Sequence, residues 1–318
     1  VNDPLIWVRA VHFAATMMVT GAVFFLGFVA EPAFRAANDG GRIAALVRSR
    51  VATIAWLGLA VALVSGAAWL VLQAQLMADL SLAEALSGGA VWIVLSETDF
   101  GSDWIARIVL AGLLAAVLCW PLPGGRAHSR AMHAAAIALA AGLAGTLAFA
   151  GHAAATPGIA GGIHLTADVL HLIAAAAWVG ALVPLALLLR AVRTRHETAS
   201  VGVARAAVLR FSTFGTVSVG TLVASGLVNS WMLVADMPAL IGTAYGRLLL
   251  VKVALFLVML SAAAVNRLLF TPRLAHAPII GPVKDTVRAL ERNSLIEASL
   301  AAIIIVIVGL LGTMSPEL

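Results

Sequence analysis

The chain is 318 residues long, 62% hydrophobic and only 11% charged, where an ordinary soluble domain carries about 25% charged residues. That composition excludes a water-soluble globule, because so few charges cannot cover a hydrated surface. A net charge of +5 and an isoelectric point near 10.6 would suggest nucleic acid in a soluble chain. Here the basic residues stand in short loops between apolar runs, so they report membrane orientation instead.

Apolar windows bounded by Pro, Gly and charge predict eight membrane helices, over 5–34, 51–76, 102–120, 132–152, 165–190, 211–234, 246–270 and 294–314. The first window lacks a basic leader and a small-residue cleavage site, which reads as a retained helix. The acidic stretch 77–100 predicts a short surface helix around Ser81–Leu86. The fold class is therefore all-α, a polytopic membrane bundle of eight transmembrane helices. Cys119 is the single cysteine, which excludes an internal disulfide and any CxxC motif.

Sixteen of the twenty Lys and Arg residues fall in the loops after the first, third, fifth and seventh windows. Only Arg9, Arg107, Arg247 and Lys252 lie toward the other side. The positive-inside rule then puts those four loops in the cytoplasm and both termini outside.

The second four windows resemble the first four. His12-x8-Gly21 returns as His171-x8-Gly180, Arg50 with Ser65-Gly66 returns as Arg210 with Ser225-Gly226, and Phe100-Gly101-x5-Arg107 returns as Tyr245-Gly246-x5-Lys252. An even number of spans preserves orientation, so the pattern predicts two parallel four-helix repeats, 1–156 and 157–318, with the functional centre at their interface.

Ionisable groups inside a bilayer are costly and mark function, which makes the eight histidines informative. His12, His152, His164 and His171 converge on the outer face. The spacing His164-x3-Asp168-x2-His171 puts all three side chains on one helix stripe. Imidazoles with a carboxylate form a metal half-site that suits copper, zinc or iron. The Gly- and Pro-containing turn from Gly151 through Thr156-Pro157-Gly158 can bring His152 over that stripe. The repeat makes His12 and His171 equivalent, and they are expected to face each other across the central axis. The candidate metal ligands are thus His12, His152, His164, Asp168 and His171.

Other groups read more simply. Arg107 and Lys252 snorkel, bind an anionic group or tie the halves together. Glu97, Asp99 and Asp103 give the outer start of the third helix a negative cluster that concentrates cations. Met232 and Met314 are weak thioether candidates, and Cys119 with His133 is an inner exit site only where helices three and four pack closely.

At this point the residues match a known pattern. The chain resembles the copper resistance protein D (CopD) family of bacterial inner-membrane proteins. The resemblance is carried by Val11-His12-Phe13 with Thr20-Gly21, by Gly151-His152-Ala153, and by Asp168-x2-His171-Leu172 running to Ala177-Trp178-Val179-Gly180. Tyr245-Gly246-Arg247-Leu248-Leu249-x2-Lys252, Asn266-Arg267 and Arg292-Asn293-x3-Glu297 complete it. The resemblance implies eight membrane helices, movement of copper from periplasm to cytoplasm, and a separate periplasmic CopC-like copper donor. It implies no enzyme activity, and no GxxxxGK[ST] motif for ATP hydrolysis is present. Two alternatives stay open: a b-type haem electron-transfer protein with His12 and His171 as axial pair, and a copper-delivery scaffold without transport.

Overall fold

Eight runs of helix are long and apolar enough to cross a membrane, and they coincide with the eight hydropathy windows. They are α1 (Pro4–Ala36), α2 (Arg42–Ala78), α3 (Asp99–Cys119), α4 (Arg130–Ala150), α5 (Gly158–Thr194), α6 (Ser200–Leu233), α7 (Ala244–His276) and α8 (Val283–Leu311). This computed structural model describes residues 3–37, 41–120, 126–151, 156–194, 198–233, 237–276 and 283–314. No strand occurs among them. The expected surface helix is present as Leu82–Ser87, started by a capping box in which Ser81 and Glu84 satisfy each other's backbone N–H. The same Ser81 bonds hold the exposed Glu84 carboxyl below its ordinary pKa.

α1 and α5 form the centre and are the most buried of the eight, whereas α7 lies largely open to lipid. They cross where Gly21 meets Gly180. A Cβ on Gly21 would overlap the Gly180 backbone, and one on Gly180 would overlap the Met17 carbonyl, so only glycine permits this approach. α2 and α4 pack on α1, while α6 and α8 pack on α5. α3 packs on α4 and α7 on α8. Raising each helix number by four therefore reproduces these pairings.

Five helices outrun their apolar windows at the basic end by four residues or more. α2 starts at Arg42, α5 continues to Thr194, α6 starts at Ser200, α7 continues to His276 and α8 starts at Val283. The cause is amphipathic periodicity: Ile43, Ala44, Val47 and Val51, then Val203, Ala204, Ala207 and Val208, then Val283, Val287 and Leu290 each keep one apolar face. Those faces close with Phe34, Leu188, Leu189, Val192 and Leu274 into one buried layer. Its rim carries the pairs Arg48–Glu31 and Arg193–Glu291.

Candidate functional site

Two histidine pockets lie toward the end opposite the basic layer, one built on α1 and one on α5. His12 is 4% exposed, and its Nδ1 lies 3.0 Å from the Ala62 carbonyl and 3.2 Å from Ser65 Oγ, both on α2. A carbonyl only accepts, so Nδ1 carries the proton and Nε2 holds the lone pair. The ring sits between Trp69, 5.6 Å away, and Trp104, 5.3 Å away. Gly66 makes room for this packing, since a Cβ there would strike the Trp104 ring.

His171 repeats the arrangement on α6. Its Nδ1 is 3.1 Å from Ser225 Oγ, and the Leu222 backbone is a further partner. Ser225 spends its own proton on the Thr221 carbonyl at 2.6 Å, so His171 Nδ1 donates and its Nε2 is again the basic nitrogen. Gly226 lies against this ring as Gly66 lies against His12.

The cationic residues are set by matching helix starts. Thr98 Oγ1 accepts from the Gly101 N–H, and Thr243 Oγ1 from the Gly246 N–H, each at 3.0 Å. Nine residues beyond each threonine stand Arg107 and Lys252. Arg107 acts electrostatically on His12, and Lys252 on His171 and Asp168.

His164, Asp168 and His171 all stand on the continuous helix α5, and each has its own partner. His164 Nδ1 is 2.9 Å from Thr156 Oγ1. Asp168 Oδ1 accepts from Asn229 Nδ2 at 3.0 Å, and its Oδ2 lies against Gly151 at the end of α4. His152 lies outside the described residues, directly after Gly151 in the chain. Among the described residues no three His, Cys, Asp or Glu side chains form a ready metal cage.

One expectation needs correction. His12 and His171 do not face each other across the central axis. Each is nine residues from its glycine, half a turn out of phase at about 100° per residue, and the glycines occupy the α1–α5 contact. The two rings consequently point into opposite halves and bond to α2 and α6. That orientation does not favour the His12–His171 haem pair.

Elsewhere, Cys119 is exposed, His133 is half-buried on α4, and exposed His276 bonds the Pro272 carbonyl. The side chains of His128 and His196 lie outside the described residues. Sequence reasoning did not single out Glu297, which is 1% exposed. It accepts from Asn266 Nδ2 at 2.7 Å, and Asn293 closes the chain by donating to Asn266 Oδ1 at 2.9 Å. Asn266 opens a π-turn over Asn266–Phe270. The signal was there, since all three residues stand in the segments that carry the family resemblance.

Comparison with known proteins gives a consistent result. Residues 1–162 match the N-terminal domain of copper resistance protein D-like proteins, and residues 205–311 match copper resistance protein D. Copper resistance protein D of Pseudomonas syringae pv. tomato is 33% identical over 226 residues, covering 70% of this chain and 71% of that protein. Inner membrane protein YebZ of Escherichia coli K12 is 29% identical over 315 residues, 97% of each chain. Copper transport protein CutJ of Bacillus subtilis is 37% identical over 174 residues, 54% of this chain and 31% of that protein.

Proposed function

The chain belongs to the copper resistance protein D family, and from that premise we propose that this copper-related membrane protein takes up copper at the periplasmic face of the bacterial inner membrane and passes it toward the cytoplasm. Both termini face the periplasm in this reading, because the basic loops lie at the other end. The chain comprises two four-helix repeats, 1–156 and 157–318, a division supported by the matched helix pairings and by the Ser–Gly seats under His12 and His171.

Capture centres on the α5 pocket, with His164, Asp168 and His171 as ligands and His152 joining from the α4–α5 turn. The observation that carries this assignment is the juxtaposition at Asp168. Its carboxylate shares the His164–His171 stripe and lies against Gly151, the residue before His152. Imidazole and carboxylate accept copper in either oxidation state. His12 is a separate, single-imidazole position in the other half. A periplasmic CopC-like protein supplies the metal. The copper-resistance and copper-transport names of the relatives favour this reading over haem electron transfer, as does the divergence of His12 and His171.

Copper uptake into sealed liposomes containing only this protein tests the reading. Wild type is expected to accumulate copper well above protein-free liposomes, and His171→Ala to fall to that background. Copper binding without uptake would instead establish the delivery scaffold.

A further inference from the structure

The described residues contain seven buried side-chain nitrogen or oxygen atoms without a hydrogen-bond partner, and five of them are N–H groups of four neighbouring residues: Arg9 Nε, Trp69 Nε1, Trp104 Nε1, and Arg107 Nε and Nη1. Arg9 and Arg107 are 7% and 3% exposed. Both flank one indole: the Arg9 guanidinium carbon is 4.6 Å from the Trp69 ring and that of Arg107 5.5 Å, while Arg107 also lies 4.7 Å over Trp104. Each arginine has one acceptor, on the 3₁₀ turn Thr146–Ala150 that ends α4. Arg107 Nη2 donates to the Thr146 carbonyl at 2.8 Å, and Arg9 Nη2 to the Ala150 carbonyl at 3.4 Å.

Contact with the indoles satisfies the faces of the guanidinium planes and leaves Arg9 Nε and Arg107 Nε and Nη1 without an acceptor. Buried donors in native proteins are almost always matched. Among the described residues neither guanidinium has a carboxylate within ion-pair distance; the ion pairs there are Arg48–Glu31 and Arg193–Glu291, both in the basic layer. Asp103 acts on Arg107 only at longer range.

The other half shows what is missing. Counting from His12 and His171, Arg9 occupies the place of Asp168, each three residues before its histidine. Counting from Ser65 and Ser225, Trp69 occupies the place of Asn229, each four residues after its serine. Around His171 the cation Lys252 therefore has an internal carboxylate, itself held by an amide. Around His12 the equivalent positions hold a second cation and an indole donor.

We propose that Arg9, Arg107, Trp69 and Trp104 form a buried site for a small monoanion, of halide or carboxylate type, which stands where the other half places the Asp168 side chain. Such an anion accepts from the orphaned N–H groups and offsets one of the two guanidinium charges. These four side chains present donors and no lone pair, so they suit an anion rather than a metal ion.

The site is tested with purified full-length protein in phospholipid-free detergent and halide-free Tris–HEPES buffer, titrated with iodide while tryptophan emission is followed. Wild type is expected to show a saturable quenching phase that millimolar chloride or acetate displaces. Arg107→Gln is expected to weaken that phase at least tenfold. Arg9→Asp, which supplies the carboxylate internally and leaves Arg107 as its single cationic partner, is expected to abolish it; Arg48→Gln, in the basic layer, leaves it intact. The same titration in phosphatidylglycerol nanodiscs separates sources: loss of the phase there identifies a lipid phosphate as the competing anion, and its persistence identifies a free anion. Purely collisional, non-saturating quenching of wild type in detergent overturns the proposal, as does an unchanged saturable phase in Arg9→Asp.

Discussion

The two histidine pockets share a plan and differ in charge, and the proposed copper capture at one of them rests on that difference. In both, Nδ1–H is anchored on a serine of the next helix, a glycine follows that serine to admit the ring, and a cation projects from the second helix after it. In the α5 pocket that cation faces Asp168, with Asn229 holding the carboxylate. In the α1 pocket it is accompanied by Arg9 and enclosed by Trp69 and Trp104. A carboxylate in the pocket favours a cation, whereas two guanidinium charges acting on the imidazole disfavour one. Common geometry thus carries different charge in the two halves.

The junction between the pockets offers the largest way to break this comparison. Gly180→Val puts side-chain atoms where the Met17 carbonyl lies, so it is expected to cost more than about 3 kcal/mol and to lower the thermal midpoint sharply in detergent. A variant that unfolds like wild type would show that α1 and α5 are not held together there.

The serine anchors sharpen the comparison next. Removing a partner that orients a metal-bound imidazole lowers metal affinity about 10- to 100-fold. Ser225→Ala is expected to weaken copper binding by at least about tenfold on that basis, measured by competition with a chelator. Ser65→Ala is expected to leave copper affinity unchanged and to cost about 1 kcal/mol of stability. Equal effects on copper would erase the distinction between the pockets.

A smaller effect is expected at Lys252. Removing its positive charge beside Asp168 and His171 lowers the repulsion felt by an incoming cation, so Lys252→Gln is expected to tighten copper binding about threefold. The smallest concerns the basic layer: the partly exposed Arg193–Glu291 pair, at 2.8 Å, contributes at most about 1 kcal/mol. Arg193→Ala is expected to shift thermal unfolding only slightly and copper binding not at all.

Hydropathy alone locates the eight membrane helices, because about twenty apolar residues in a row have few other uses. It misses how far α2, α5, α6, α7 and α8 continue at the basic end, since a periodic apolar face mixed with arginines falls below any continuous-run criterion. On the site, the spacing of His164, Asp168 and His171 fixes their shared stripe. The direction of His12 is also written in the sequence: nine residues to Gly21 is two and a half turns, so a ring opposite the interface glycine cannot point into the interface. Arg9 and Trp69 are harder to read. Each looks ordinary alone, a basic residue near a helix end and an interfacial aromatic, and only register with Asp168 and Asn229 exposes the substitution of charge. The partners of Ser65, Thr146 and Gly151 depend on how helices cross, which no local spacing encodes.

The most direct test is equilibrium copper binding by purified protein, comparing His171→Ala with His12→Ala. Retention of copper is expected to fall at least tenfold in His171→Ala and to change less than about threefold in His12→Ala. Unaltered binding in His171→Ala, or a matching loss in His12→Ala, would contradict the placement of copper capture in the α5 pocket.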